Sequence, residues 1–196
     1  MDNFILESSL KDLTLCDDII EAFENNSKKY RGFFANGIID LEHKDSWDLH
    51  LGELDNTLVV RYLDELDTIL TEYKRRYIYS DIMQHTWKIE SCNIQKYLPG
   101  GGFKKWHYEE NGAYKNIQRH LVFMTYLNDV NEGGTDFLYQ NKTVKAVKGK
   151  TVIWPAQWTH THKGQVSNSQ AKYITTGWYR YEDETKQIRK KSNPKD

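Results

Sequence analysis

From about Thr86 the side chains change from a helical spacing to a strict period of two, and this switch constrains the fold more than any other feature. In "WKIESCNIQKY", Asn93, Gln95 and Tyr97 fall on one face of an extended strand, with Cys92, Ile94 and Lys96 on the other. A turn at "LPGGGF" follows, then "KKWHYEEN", a loop, and "RHLVFMTYLN". After a turn at "DVNEGG" come the short strands "TDFLYQ", "KTVKAV", "TVIWP" and "AKYITTGWYRY". Short strands at close intervals with Gly and Asn turns predict an antiparallel sandwich or barrel. Aromatics support this, since most of the 13 Tyr and 6 Trp lie after residue 70 and suit pleated, half-buried surfaces.

The first half reads as helical. In "LTLCDDIIEAFENNSKK", Leu15, Ile19, Ile20 and Phe23 recur at helical intervals, with Asp12 or Thr14 as the starting cap. A second helix is expected over "NTLVVRYLDELDTILTEYKRRY", where Leu58, Tyr62, Leu63, Leu66, Leu70 and Tyr73 line one face. Its acidic-then-basic order suits the helix dipole. The stretch between is turn-rich and irregular. One domain is expected: helical support over 1–85, a stranded core over 86–182, and a charged, frayed tail over 183–196.

Charge narrows the partners. With 27 Lys and Arg against 28 Asp and Glu, the net of −1 offers no footprint for nucleic acid or an anionic membrane. No apolar run is long enough to span a bilayer. "MDNFILESSLKD" lacks a basic start followed by an apolar block, so a cytoplasmic location is expected, with Cys16 and Cys92 as reduced core thiols. Nothing in the sequence speaks to oligomeric state.

The chemistry gathers in the second half. "WHYEENG" puts His107 and Glu109 on the same side of a strand and turns Glu110 away. Of the other histidines, His43, His50, His85 and His120 read as surface or ordinary core residues. "WPAQWTHTHKG" differs, because it delivers both His160 and His162 to one face of one strand. Two histidines and a carboxylate form the ligand set of non-haem iron(II) oxygenases, which leaves three metal positions open. Zinc hydrolases also use His and Glu, but they have no need of Lys172. That lysine shares a strand face with Ile174, Thr176 and Trp178, and a lysine pointing into a barrel calls for an anion there.

From Asn93 to Tyr181 the chain resembles the 2-oxoglutarate- and iron(II)-dependent dioxygenases, above all their prolyl 4-hydroxylase-like branch. "QKYLPGGGF", "WHYE", "RHLVFMTYLNDVNEGGTDF", "GKTVIWPAQWTHTHKG" and "KYITTGWY" carry the resemblance, in order and spacing. "LCDDIIEAFE" and "KDSWDLHL" are similar to N-terminal helical segments of that branch. The implied fold is mainly β with N-terminal helices, a double-stranded β-helix (jelly roll) braced by helices.

The resemblance implies that His107, Glu109 and His162, in preference to His160, hold Fe(II). It implies that Lys172 meets the distal carboxylate of 2-oxoglutarate, where many relatives use arginine. Tyr97 and Tyr126 fall where co-substrate-lining tyrosines lie, and Thr176 and Trp178 line the same floor. O2 is the second co-substrate, with ascorbate as a possible accessory, and the reaction is hydroxylation of an unactivated C–H bond. The substrate would be a peptide, peptidyl proline included, or a small molecule, selected by "LPGGGFKKW" and "NGAYKNIQ". The glycine-rich segment is expected to be mobile until substrate closes it. A non-catalytic jelly roll holding a structural metal is the rival reading, and it would not require Lys172, Tyr97 and Tyr126. Two departures stand out: Glu109 replaces the usual aspartate, and "EGGTDF" is one residue short of the common form.

Overall fold

The computed structural model describes residues 2–33, 37–81, 87–112 and 118–181. Its larger sheet has seven strands in the order β1-β8-β5-β10-β4-β3-β2 and its smaller sheet three, β7-β6-β9, with every pairing antiparallel. In chain order the strands are β1 (Leu6–Ser9), β2 (Tyr30–Arg31), β3 (Trp47–His50), β4 (Trp87–Tyr97), β5 (Arg119–Tyr126), β6 (Val130–Phe137), β7 (Lys142–Ala146), β8 (Lys150–Pro155), β9 (His162–Gly164) and β10 (Lys172–Tyr181). Helices α1 (Thr14–Asn25) and α2 (Asn56–Arg76) brace the larger sheet.

Strand parity builds two cores from one sheet. Along β5, Leu121 and Phe123 join Leu15, Ile19, Phe23, Leu66 and Leu70 of the helices. The alternate residues Val122, Met124 and Tyr126 join Val130, Phe137 and Val144 of the smaller sheet. A strand covered on both faces reads as a nearly continuous apolar run, as "LVFMTY" does. This is the expected jelly roll braced by helices, and no helix among the described residues is long and apolar enough to cross a membrane.

Both helices form where periodicity placed them. Asp12 accepts from the Thr14 amide (3.0 Å) and hydroxyl (2.6 Å), so the start of α1 is tied from just outside the helix. Asp55 caps α2 by accepting from the Thr57 amide at 2.9 Å, and Lys74, Arg75 and Arg76 occupy its last turn. Tyr62 reaches from α2 into the sheet, where its hydroxyl lies 2.9 Å from Thr125 Oγ1 and 2.5 Å from Thr175 Oγ1. Thr125 in turn bonds Thr151 at 2.7 Å, so one buried hydroxyl chain joins α2 to β5, β10 and β8. Tyr62→Phe should cost about 1–2 kcal/mol, because buried threonine hydroxyls lose a partner. Urea unfolding should show this as a lower midpoint at an unchanged slope.

Several expectations need correction. The first half is not only helical: β1, β2 and β3 all belong to the larger sheet. "KDSWDLHL" contains strand β3 instead of a helix, since Trp47–His50 pairs with β4 and hands its backbone groups to that edge. "DVNEGG" is not a free turn but the first part of β6, bent by a register shift between Val130 and Thr135, with Glu132 at φ 57°. The glycine segment makes backbone bonds within its own turn and to two neighbouring loops. Gly100 N donates to Ser167 O, Gly101 N to Leu98 O, and Asp45 N to Gly102 O, at 2.7–3.0 Å. A Cβ on Gly101 would stand 2.8 Å from Asp45 O, so close backbone approach is the reason for glycine there. The expected tail over 183–196, His85 and most of "NGAYKNIQ" lie outside the described residues.

Candidate metal and co-substrate site

The two sheets open around a cavity of about 580 Å³, lined from β4 by Asn93, Gln95 and Tyr97 and from β10 by Lys172, Ile174, Thr176 and Trp178. These are the polar-inward faces that alternation assigned to both strands.

His107, Glu109 and His162 meet at one side of it. "KKWHYEEN" is not a continuous strand. His107 forms an isolated bridge with His162, the first residue of β9, through N–H···O bonds of 3.0 and 2.9 Å in the two directions. That pairing sets the two imidazoles side by side, 4.3 Å between centroids, with Phe103 stacked on His107 at 3.7 Å. The Nδ1 atoms lie 2.9 Å from the carbonyls of Lys105 and His160 respectively. A carbonyl can only accept, so each Nδ1 carries the proton and each Nε2 keeps its lone pair. Burial pushes the His107 imidazolium down to about 4. For His162 burial, helped by the neighbouring His107, lowers it to about 3 against the opposing pull of Glu109. Glu109 Oε1 faces both free nitrogens, 3.6 Å from His107 Nε2 and 3.8 Å from His162 Nε2. One ligand atom from each residue lies within 4.8 Å of the others. Neutral imidazoles with fixed tautomers and a converging carboxylate fit a divalent transition metal.

His160 stands apart. It closes a 3-10 turn (Trp158–His160) instead of sharing a strand with His162, and its Nε2 lies 3.0 Å from Asn3 O. The turn ends one residue before β9, so strand parity does not relate the two histidines.

Lys172 is 5% exposed, and burial lowers its ammonium to about 8. Its Nζ donates to the carbonyls of Gly133 and Gln165, both at 3.0 Å, and lies 5.1 Å from the Tyr97 ring centroid. Its bonded partners among the described residues are neutral carbonyls, so no described carboxylate compensates the charge. Tyr97 lines the cavity, its hydroxyl donating to Gln95 Oε1 at 2.7 Å. Thr176 lines it too, with its hydroxyl on Phe123 O at 3.0 Å. Tyr126 does not line the cavity: it is fully buried behind Thr135, 2.7 Å from that hydroxyl, and Thr135 takes the wall position.

Sequence reasoning missed Lys44 and Asp48. They form a buried ion pair on the cavity wall, and Asp48 also accepts from Ser46 (2.7 Å) and Gln95 (3.2 Å). Both faces of β3 are covered, Asp48 toward the cavity and Leu49 toward the helices, so no alternation marked the strand.

Comparison with known proteins settles the class. The family described as the 2OG-Fe(II) oxygenase superfamily matches residues 92–180. The chain carries a 2OG-Fe(II) oxygenase domain. It is thereby a 2-oxoglutarate-dependent dioxygenase, with Fe(II), 2-oxoglutarate and O2 as the cofactor and co-substrates of that family. In fold the oxygenase is similar to a Trichoplax adhaerens prolyl hydroxylase solved with a hypoxia inducible factor peptide fragment (TM-score 0.71, 14% identity, 91% of this chain and 84% of that one). It is also similar to a Pseudomonas putida prolyl-4-hydroxylase (0.69, 14%, 90% and 92%). A third match is the viral collagen prolyl hydroxylase of Paramecium Bursaria Chlorella virus-1 in its 2OG complex (0.66, 18%, 92% and 97%). No curated protein sequence matches the chain.

Proposed function

We propose that the oxygenase holds iron(II) through His107 Nε2, Glu109 Oε1 and His162 Nε2, binds 2-oxoglutarate with its distal carboxylate on Lys172, and hydroxylates a peptidyl proline. One observation carries this reading: the three donor atoms and the buried ammonium, which no described carboxylate compensates, line the same cavity. A structural metal site has no use for a lysine buried at the cost of lowering its charge affinity. Iron bound there would supply the oxidising chemistry, splitting 2-oxoglutarate to succinate and carbon dioxide and placing one oxygen atom on the substrate carbon.

The chain's own residues then have distinct tasks. The protonated Nδ1 atoms fix both imidazoles so that only Nε2 faces the metal. Lys172 fixes the far end of the co-substrate, so the keto acid end is aimed at the triad. Tyr97, Thr176 and Trp178 form walls that limit water beside it. Trp106 and Tyr108, both partly exposed and lining the cavity, offer apolar faces to an entering substrate.

Support for a prolyl substrate is that the three solved proteins named above are prolyl hydroxylases, one of them in complex with a peptide fragment. The test is succinate formation by purified protein with iron(II) and 2-oxoglutarate across proline-containing peptides and small metabolites. Peptide-dependent succinate with a +16 Da peptide is the expected result. Turnover with a metabolite alone would move the substrate assignment to small molecules.

A further inference from the structure

Arg119, at the start of β5, is gripped from two elements. Its Nε and Nη2 donate to the two oxygens of Glu90 on β4, at 3.0 and 2.6 Å, and its guanidinium lies 3.7 Å from the Trp178 ring centroid on β10. The remaining Nη1 donates to Glu109 Oε2 at 3.3 Å. The other oxygen of the same carboxylate is the one that faces both histidines.

We infer that Arg119 is a positioning residue that reserves Oε2 of Glu109, so that the carboxylate offers a single oxygen to the metal. The inference rests on the ligand set proposed above. A free carboxylate can chelate through both oxygens, and would then occupy a fourth of the roughly six positions around iron(II). Two would remain, too few for a bidentate keto acid and dioxygen together. Glutamate has one more side-chain torsion than aspartate, so its carboxylate has more ways to swing into chelation. The planar guanidinium fork removes that freedom, and the Glu90 pair and the Trp178 face keep the fork from turning with it. Arg119 therefore does not serve as a second anion site for 2-oxoglutarate: its donors are already directed at Glu90 and Glu109.

Cobalt(II) titrated into the full chain reads this without turnover, through affinity and through visible bands that report coordination number. Arg119→Gln should still bind cobalt, about 10- to 100-fold more weakly, with weaker bands of a higher-coordinate ion. Glu90→Gln keeps the shape of its side chain and should show the same changes to a smaller degree. Arg119→Lys should recover little, because one ammonium cannot serve both carboxylates. Wild-type affinity and bands in Arg119→Gln, or in Glu90→Gln should the first variant not fold, would overturn the inference. Glu109→Ala keeps the two readings apart, since wild-type cobalt binding there would overturn the ligand set itself.

Discussion

Replacing His162 with alanine is expected to abolish iron(II) retention and succinate formation together, while His160→Ala keeps both within a fewfold of wild type. The two histidines are two residues apart, yet they face different surroundings. His162 Nε2 converges on Glu109 Oε1 at 3.8 Å, whereas His160 Nε2 is bound to the Asn3 carbonyl at 3.0 Å. His107→Ala should match His162→Ala, because removing either imidazole leaves a two-ligand site. Iron content after desalting, read beside coupled turnover, is the measurement. A His160→Ala protein that loses iron while His162→Ala keeps it would move the ligand by two residues.

The second large effect falls on the co-substrate. Lys172→Ala should weaken 2-oxoglutarate by roughly 10- to 200-fold, since a charge-assisted bond to a carboxylate is worth about 1.5–3 kcal/mol. Iron affinity should change little. The lowered lysine adds a pH dependence whose sign can be worked out. Burial holds the free ammonium to about 8, so below that pH the site carries the charge that a dicarboxylate needs. Above it the unliganded lysine is neutral, and binding must first take up a proton. Affinity for 2-oxoglutarate should therefore be flat below pH 8 and fall as pH rises beyond it, approaching tenfold per unit. Calorimetric titration across pH 6.5–9.5 tests this, with Lys172→Met as the control that should lack the slope. An unchanged affinity in Lys172→Ala would place the anion elsewhere.

Much of this geometry was legible because β4 and β10 obey strict parity. Asn93, Gln95 and Tyr97, and Lys172, Thr176 and Trp178, all reached the cavity as alternation required. The two helices were legible for the same kind of reason, an apolar stripe on one face. What failed was whatever tertiary pairing decides. Strand β3 is buried on both faces and only four residues long, and β9 only three, so neither has a pattern of its own. Tyr126 sat at the right place in its motif, but Thr135 crosses in front of it from the neighbouring sheet. Local spacing holds no information about which strand will pass there.

The reciprocal backbone bonds between His107 and His162 also bear on how the oxygenase would acquire its metal. In a zinc finger the ligands converge only when the ion arrives, and binding and folding are one event. Here the ligand-bearing segments are stitched by main-chain bonds and the Nδ1 bonds aim both rings, and none of these bonds uses the ion as a partner. Metal capture then spends little conformational entropy, and metal loss would leave the barrel standing.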